Sequence, residues 1–389
     1  MEVPERVKRF EERIIDLRRD FHMHPELAGQ EVRTSGVVSG MLEDLGLKVV
    51  RGIADTGVVA LLEGRGNGKT VALRADMDAL PIQDQKDVSY CSRVKGRMHA
   101  CGHDAHTAML LGAAMVLAEL RDSFNGNVKF IFQPAEESIG GAERMVKAGV
   151  MDNPPVDAVF GLHVSPELET GTVGIRYGIA NACSDDVFIE VLGRSAHGAQ
   201  PNEGVDAIVI AAQVISALQQ IISRGIDPLE SATLTIGTIN GGSQANILAD
   251  RVEMAGTMRT LDSAVREKIQ SSIEQITANI CRSMDGQHRV TFQPGYPLLI
   301  NHHGMTHLVK KAAGKIVGDR IKEIEKPRLG VEDFAYYLQR APGAFWRLGT
   351  GSKEKGIQCV SHSPYFDIDE DALSIGTAIH VQTVLDYLG

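Results

Sequence analysis

Hydrophobic and polar positions recur with two periods along this chain, and the places where the period changes divide it. Apolar residues at helical spacing predict amphipathic helices over 4–22 and 34–46, the second stopped by Gly46. Short apolar runs at 57–63 and 70–75 have strand length and lie between Gly-rich turns. The nearly unbroken apolar segment Ala108 to Leu120 reads as a buried helix. A further strand follows at 128–132, then a Gly-Gly turn, a helix at 141–149 and a strand at 157–163. Strands alternating with helices predict an α/β layer with a mostly parallel sheet and helices on both faces.

Near residue 182 the pattern changes. Strands are expected at 185–192, 232–239, 251–260 and 288–293, with helices at 204–224 and 263–284. That order is β-α-β-β-α-β, the split unit of small ferredoxin-like α+β domains. Residues 182–296 are therefore expected to form an inserted domain. From Pro297 the first pattern resumes, with helices at 304–317, 331–340 and 370–388 and strands at 321–325 and 344–349. The first domain would then be discontinuous, made of 1–181 and 297–389.

Composition narrows the class without naming a function. At 389 residues, 43% apolar and 23% charged, the chain is an ordinary globular protein large enough for two domains. A net charge of −10 argues against a nucleic-acid surface. Five scattered cysteines suit a reducing compartment better than a disulfide framework. The first 19 residues mix charge with apolar positions and lack the apolar core of a signal peptide. No apolar run reaches the roughly 20 residues of a membrane span. The expectation is a cytoplasmic protein with neither a nucleic-acid nor a membrane partner.

The candidate chemistry centres on Met98-His99-Ala100-Cys101-Gly102-His103-Asp104-Ala105-His106. Residues i and i+2 of an extended loop point the same way, so the Cys101 sulfur and the His103 imidazole can converge. Both are ligands for a borderline-soft divalent ion. The strand at 128–132 ends in Gln133-Pro134-Ala135-Glu136-Glu137. Adjacent extended residues face opposite ways, so one glutamate can bind a metal while the other addresses a water. His163 closes another strand, and His362 lies in a polar loop. Cys101, His103, Glu137, His163 and His362 supply ligands enough for two metal ions. His22, His24, His288, His302, His303, His307 and His380 have no comparable setting. In the inserted segment, loops around His197, Asn246 and Arg259 could present an imidazole, an amide and a guanidinium to one ligand.

Asp76-Met77-Asp78, MHACGHDAH, QPAEE, GLHV, SAHGAQP, GSQANILAD, GTMRT, GVEDFA and the His362 loop occur in one order along the chain. In that order they resemble the aminoacylase/carboxypeptidase metallopeptidases, specifically the amidohydrolase branch. That branch holds hippurate hydrolase, N-acetyldiaminopimelate deacetylase and the plant indole-acetyl-amino-acid hydrolases. The resemblance implies a catalytic domain with a dinuclear metal centre and a smaller lid domain through which a homodimer forms. It implies Cys101, His103, Glu137, His163 and His362 as ligands, Glu136 as general base, and Asp78 as the carboxylate that orients a ligand. It further implies that His197, Asn246 and Arg259 bind substrate and that Gly330 opens a loop lining the substrate pocket. Asp76 stands where other branches of the family carry a histidine, with Cys101 supplying the missing ligand. Zinc, manganese, cobalt and nickel all suit this donor set.

The activity implied is metal-dependent deacylation of N-acyl-amino acids. A carboxypeptidase acting with the same machinery and a non-catalytic metal-dependent binding protein are the alternatives. The presence of both Glu136 and Glu137 weighs against the second, because binding alone needs no base.

Overall fold

A computed structural model describes residues 2–138 and 140–389. The first stretch contains helices α1 (Val3–Lys8), α2 (Glu11–Met23) and α3 (Val32–Asp44), followed by strands β1 (Lys48–Ile53), β2 (Gly57–Glu63) and β3 (Arg65–Asp76). Then come α4 (His103–Glu119), β4 (Asn125–Gln133), α5 (Gly141–Lys147), β5 (Ala158–Glu169), β6 (Val173–Ile175) and β7 (Gly178–Asn181). The middle holds β8 (Cys183–Leu192), α6 (Ala207–Gln220), β9 (Ala232–Gly241), β10 (Arg251–Thr260), α7 (Ser263–Ser283), β11 (Gln287–Pro294) and β12 (Leu299–Asn301). The chain closes with α8 (His303–Val317), β13 (Ile321–Glu323), α9 (Ala335–Leu338), β14 (Gly343–Gly351) and α10 (Asp371–Leu388).

Two compact units result. Unit 1 comprises Met1–Gly178, Ile300–Lys326 and Asp333–Gly389; unit 2 comprises Ile179–Leu299 and Pro327–Glu332. The sequence pattern assigns Pro327–Glu332 to the first domain, but this segment groups with unit 2. There Arg328 donates its N–H to Ala180 O at 2.9 Å.

Unit 1 is built on an eight-stranded sheet of order β1-β2-β4-β3-β5-β14-β6-β13. Its centre, β4-β3-β5-β14, is parallel throughout, while β1 and β2 add an antiparallel edge. Chain order reverses about β3: β4 follows α4 on one side, and β5 follows α5 on the other. Such reversals leave a crevice at the C-terminal ends of the strands, where ligands bind in α/β proteins. α4 carries Ala, Leu and Met with no polar stripe after its first turn, so it is buried all round. Its Met109, Leu110 and Leu111 are wholly buried, each contributing about 1.5–3 kcal/mol.

Unit 2 has an antiparallel sheet of order β11-β8-β10-β9 with α6 and α7. Asp206, whose side chain accepts the N–H of Ile208 at 2.9 Å, starts α6. Ile210, Val214 and Leu218 of α6 and Ile269 and Ile273 of α7 form its core with Val187, Ile189 and Val191 of β8. Ala207–Gly225 is the one segment among the described residues long and apolar enough to cross a membrane. Its Ile210, Val214 and Leu218 are spent on this core.

Several expected elements differ. The helix at 4–22 is two helices, because Phe10 N donates to Val7 O at 2.8 Å and closes a turn between them. The strand β1 has no counterpart in the sequence pattern: it is an edge strand and carries no buried face. The helix expected at 331–340 shrinks to Ala335–Leu338, and the strand ending at 163 runs on to Glu169.

Candidate metal centre

Each strand of the parallel centre carries a chemically competent residue or leads to one. β3 leads to Asp76 and Asp78, β4 to Glu136 and Glu137, β5 carries His163, and the chain beyond β14 carries His362. Cys101 and His103 enter on the loop that starts α4. Gly102 lies at φ 93° there, and a Cβ on it would sit 2.3 Å from Val164 Cγ2. Only glycine lets this loop press against β5 beside His163.

The imidazoles are turned by their outer contacts. His103 Nδ1 is 3.2 Å from Asp78 Oδ1, which leaves Nε2 facing inward. His163 Nδ1 is 2.6 Å from Val164 O, so it donates there and frees Nε2, 3.4 Å from Cys101 Sγ. A ring proton fixed on one nitrogen makes the other a metal donor. Asp78 also braces a second ligand, since its Oδ2 accepts the N–H of Glu137 at 3.0 Å. Ala135, at φ 58°, swings the following glutamates toward the cleft, and Glu31 holds that turn by accepting the Ala135 N–H at 2.9 Å.

Ligand atoms of Cys101, His103 and His163 lie within 4.8 Å of one another, as do those of Cys101, Glu137 and His362. The two triads share Cys101. His103, Glu136 and Glu137 form a third such group. His103 Nε2 and Glu137 Oε1 are buried, make no hydrogen bond, and face each other at 3.9 Å. Glu137 Oε1 is also 3.2 Å from His362 Nε2. Metal-ligand atoms at these separations suit a cation between them.

Electrostatics points the same way. Burial and then the Glu137 charge push the Cys101 thiol up to about 12, so its thiolate needs a cation beside it. Burial opposes charge on His103, but the Asp76 carboxylate and the Asp78 hydrogen bond outweigh it and raise its pKa well above the ordinary value. Burial favours protonation of Glu137, yet the His362 contact and the His103 charge hold its pKa low. Imidazoles and carboxylates thus compensate one another where a metal would otherwise do so.

The remaining candidates lie in unit 2. His197 is exposed and bridges to Ile247, and Gly198 N donates to Asn246 O at 2.8 Å, so His197 and Asn246 are neighbours. Arg259 Nη1 donates to Leu329 O at 3.1 Å, next to the exposed Gly330.

Sequence reasoning missed a buried layer behind the ligands. Asp76 Oδ1 is 2.6 Å from His106 Nδ1, and His106 Nε2 accepts the N–H of Val164 at 3.0 Å. This ties the first turn of α4 to the residue after His163. Arg74 compensates Asp76 at 2.7 Å and Asp333 at 2.8 Å. The signal available was His106 three residues after His103, one helical turn away. His22, read as ordinary, is 2.7 Å from Asp104 in a buried cluster.

Residues 72–386 match Peptidase family M20/M25/M40. Thermostable carboxypeptidase 2 of Saccharolobus solfataricus is 42% identical over 385 residues, covering 98% of this chain and 97% of that protein. N-acetyl-L-cysteine deacetylase of Bacillus subtilis is 41% identical over 371 residues, covering 95% and 87%. The crystal structure of a Bacillus subtilis dinuclear metal binding peptidase of the M20 family superimposes with a TM-score of 0.84 at 34% identity, covering 98% and 99%. With a matching stretch that spans most of its length and relatives aligned nearly end to end, the chain belongs to peptidase family M20/M25/M40.

Proposed function

We propose that this hydrolase is a metal-dependent amidohydrolase that deacylates N-acyl-L-amino acids, releasing a free amino acid and a carboxylic acid. One observation carries the reading: two ligand triads sharing the buried Cys101, with a second carboxylate, Glu136, beside His103 and Glu137. Cys101, His103, Glu137, His163 and His362 would hold two divalent ions, of zinc, manganese, cobalt or nickel. Such ions lower the pKa of water toward about 7 and polarise an acyl carbonyl.

Glu136 accepts the proton of the attacking water as its oxygen bonds to the acyl carbon. It returns that proton to the nitrogen as the C–N bond breaks, so the amine leaves neutral. Asp78 accepts from Nδ1 of His103, which turns Nε2 toward the metal site, and braces Glu137 from behind. His197 stabilises the developing oxyanion, Asn246 and the Gly330 loop bound the substrate, and Arg259 grips its carboxylate through paired hydrogen bonds. Unit 2 acts as the lid and joins a second copy of the chain. The free edge of β9 and the exposed Ile208, Val209 and Ile239 support that surface.

A second reading, carboxypeptidase, is favoured by the Saccharolobus solfataricus relative. Hydrolysis of N-acetyl-L-methionine, its C-terminal amide and glycyl-L-methionine by the metal-loaded protein separates the readings. The acetylated acid should be cleaved fastest and its amide poorly. Cleavage of the dipeptide alone would replace deacylation by peptidase action.

A further inference from the structure

Unit 1 holds a second buried concentration of charge that the proposed chemistry does not use. Arg18 of α2 is fully buried. Its Nε donates to Asp104 Oδ2 at 2.9 Å, its Nη2 to Asp367 Oδ1 at 2.9 Å and its Nη1 to Glu370 Oε1 at 3.3 Å. The guanidinium lies 4.9 Å from the Tyr90 ring, whose hydroxyl donates to Asp367 Oδ2 at 2.8 Å. Lys86 Nζ donates to Phe366 O at 2.8 Å and stands 2.8 Å from His22 Nε2. His22 Nδ1 is 2.7 Å from Asp104 Oδ2. The imidazole therefore donates to Asp104 and accepts from Lys86, which links the two cations through one ring.

Arg18 joins two pieces of chain directly, whereas Lys86 holds the second and reaches the first through the His22 ring. Asp104 directly follows His103, and Phe366 and Asp367 lie four and five residues beyond His362. A buried ionic cluster is weak evidence for stability, because desolvation offsets most of the attraction; its best-attested use is to fix one arrangement. His362 needs such fixing. It sits at φ 64°, a conformation that persists where the surroundings hold it. Its own N–H makes one tie to the ligand loop, to Ala100 O at 2.7 Å. Gln85 N, on the chain next to Lys86, also donates to Pro364 O at 3.0 Å.

We propose that Lys86 and Arg18 are positioning residues that clamp the segment following His362 onto the segment bearing Cys101 and His103. In doing so they set the spacing of the Cys101, Glu137 and His362 triad. The inference rests on the metal-centre reading above. It makes affinity for one of two metals depend on residues that never touch either.

The test is calorimetric titration of Co²⁺ into the metal-free full-length protein, with thermal unfolding recorded on the same samples. His362→Ala identifies the binding step that needs this imidazole. Lys86→Met, which removes the ammonium and keeps most of the stem, should weaken that step about 10–100-fold and the other by less than about threefold, the range for lost outer partners. Lys86→Arg should recover most of the loss. A Lys86→Met protein that unfolds earlier but binds both Co²⁺ ions as tightly as wild type would overturn the proposal and leave the cluster a purely structural one. If Lys86→Met does not fold, Tyr90→Phe, which removes one hydroxyl from Asp367, carries the same comparison. It should weaken the same step, and unchanged binding there would overturn the proposal. Wild type that binds no Co²⁺ at all would sink the metal-centre reading itself, whereas a step lost in His362→Ala but normal in Lys86→Met would sink the positioning alone.

Discussion

The two units hold their candidate residues in opposite ways. In unit 1 each candidate ligand but Cys101 has a bracing contact, and Cys101 and His103 are buried: Asp78 supports His103 and Glu137, His106 supports the backbone beside His163, and Ala100 receives the N–H of the more exposed His362. In unit 2 His197, Asn246 and Gly330 are exposed, and Arg259 makes one bond to a backbone carbonyl. Geometry that must suit a metal is built into the fold, since ligand distances tolerate only tenths of an ångström. Residues proposed to meet a substrate would keep their freedom until it arrives. Mutations of the candidate ligands in unit 1 should therefore register in metal content, and mutations of the candidate substrate residues in unit 2 only in turnover.

The largest expected effect is at Cys101, the residue common to both triads. Cys101→Ala should lose metal and all measurable turnover. Full metal occupancy with normal activity would mean that the triads do not share this thiol.

Arg259→Ala should cost about 2–5 kcal/mol in kcat/KM if its partner carboxylate is desolvated, with metal content untouched. Arg259→Lys should recover only part, because an ammonium lacks the two-pronged grip of a guanidinium. A loss of metal in Arg259→Ala would erase the contrast between the units.

A subtler effect concerns where His197 acts. If it serves the site of the second copy, mixing His197→Ala with Glu136→Gln should restore part of the activity through hybrid dimers. No recovery after verified subunit exchange would confine His197 to its own chain.

The smallest effect belongs to the rigid interior. His380 is buried beside Trp346, and burial pushes its pKa down to about 3. An unfolded histidine titrates near 6.5. Between those values the unfolded chain takes up a proton that the folded chain refuses, so stability falls as pH drops from about 6.5 toward 3. His380→Leu should flatten that limb by about 1.4 kcal/mol per pH unit. Urea unfolding between pH 6 and pH 4 measures the slope, and an unchanged slope would count against a neutral buried ring.

How far the sequence could be read follows from what each element buries. The central strands and α4 were legible because both faces are apolar, which leaves continuous hydrophobic runs. β1 was not, because an exposed edge strand has no apolar face to display. Cys101, His103, Glu136, Glu137, His163 and His362 stood out because such residues in loops and at expected strand ends serve no core, and the structure gathers them in unit 1, with His163 inside β5. Arg18, His22 and Lys86 did not. On a sequence a buried arginine in an amphipathic helix looks the same as one on its wet face, and only the tertiary fold brings Asp104 and Asp367 to it. Asp76 was visible as an oddity of the Asp-Met-Asp motif, but its partner His106 became apparent only when α4 was set against β3. The segment Pro327–Glu332 joins unit 2 through backbone contacts that leave no mark in side-chain pattern.

Glu136→Gln tests the central claim most directly, because it preserves shape and removes only the ability to take a proton. Turnover of N-acetyl-L-methionine and metal content should be measured together on this variant, on Glu137→Gln and on wild type. The expected result is wild-type metal content in Glu136→Gln with kcat down by at least about 10²–10⁴-fold, and lost metal in Glu137→Gln. Full turnover by a metal-loaded Glu136→Gln protein would contradict the assignment of Glu136 as the base and the hydrolytic mechanism built on it.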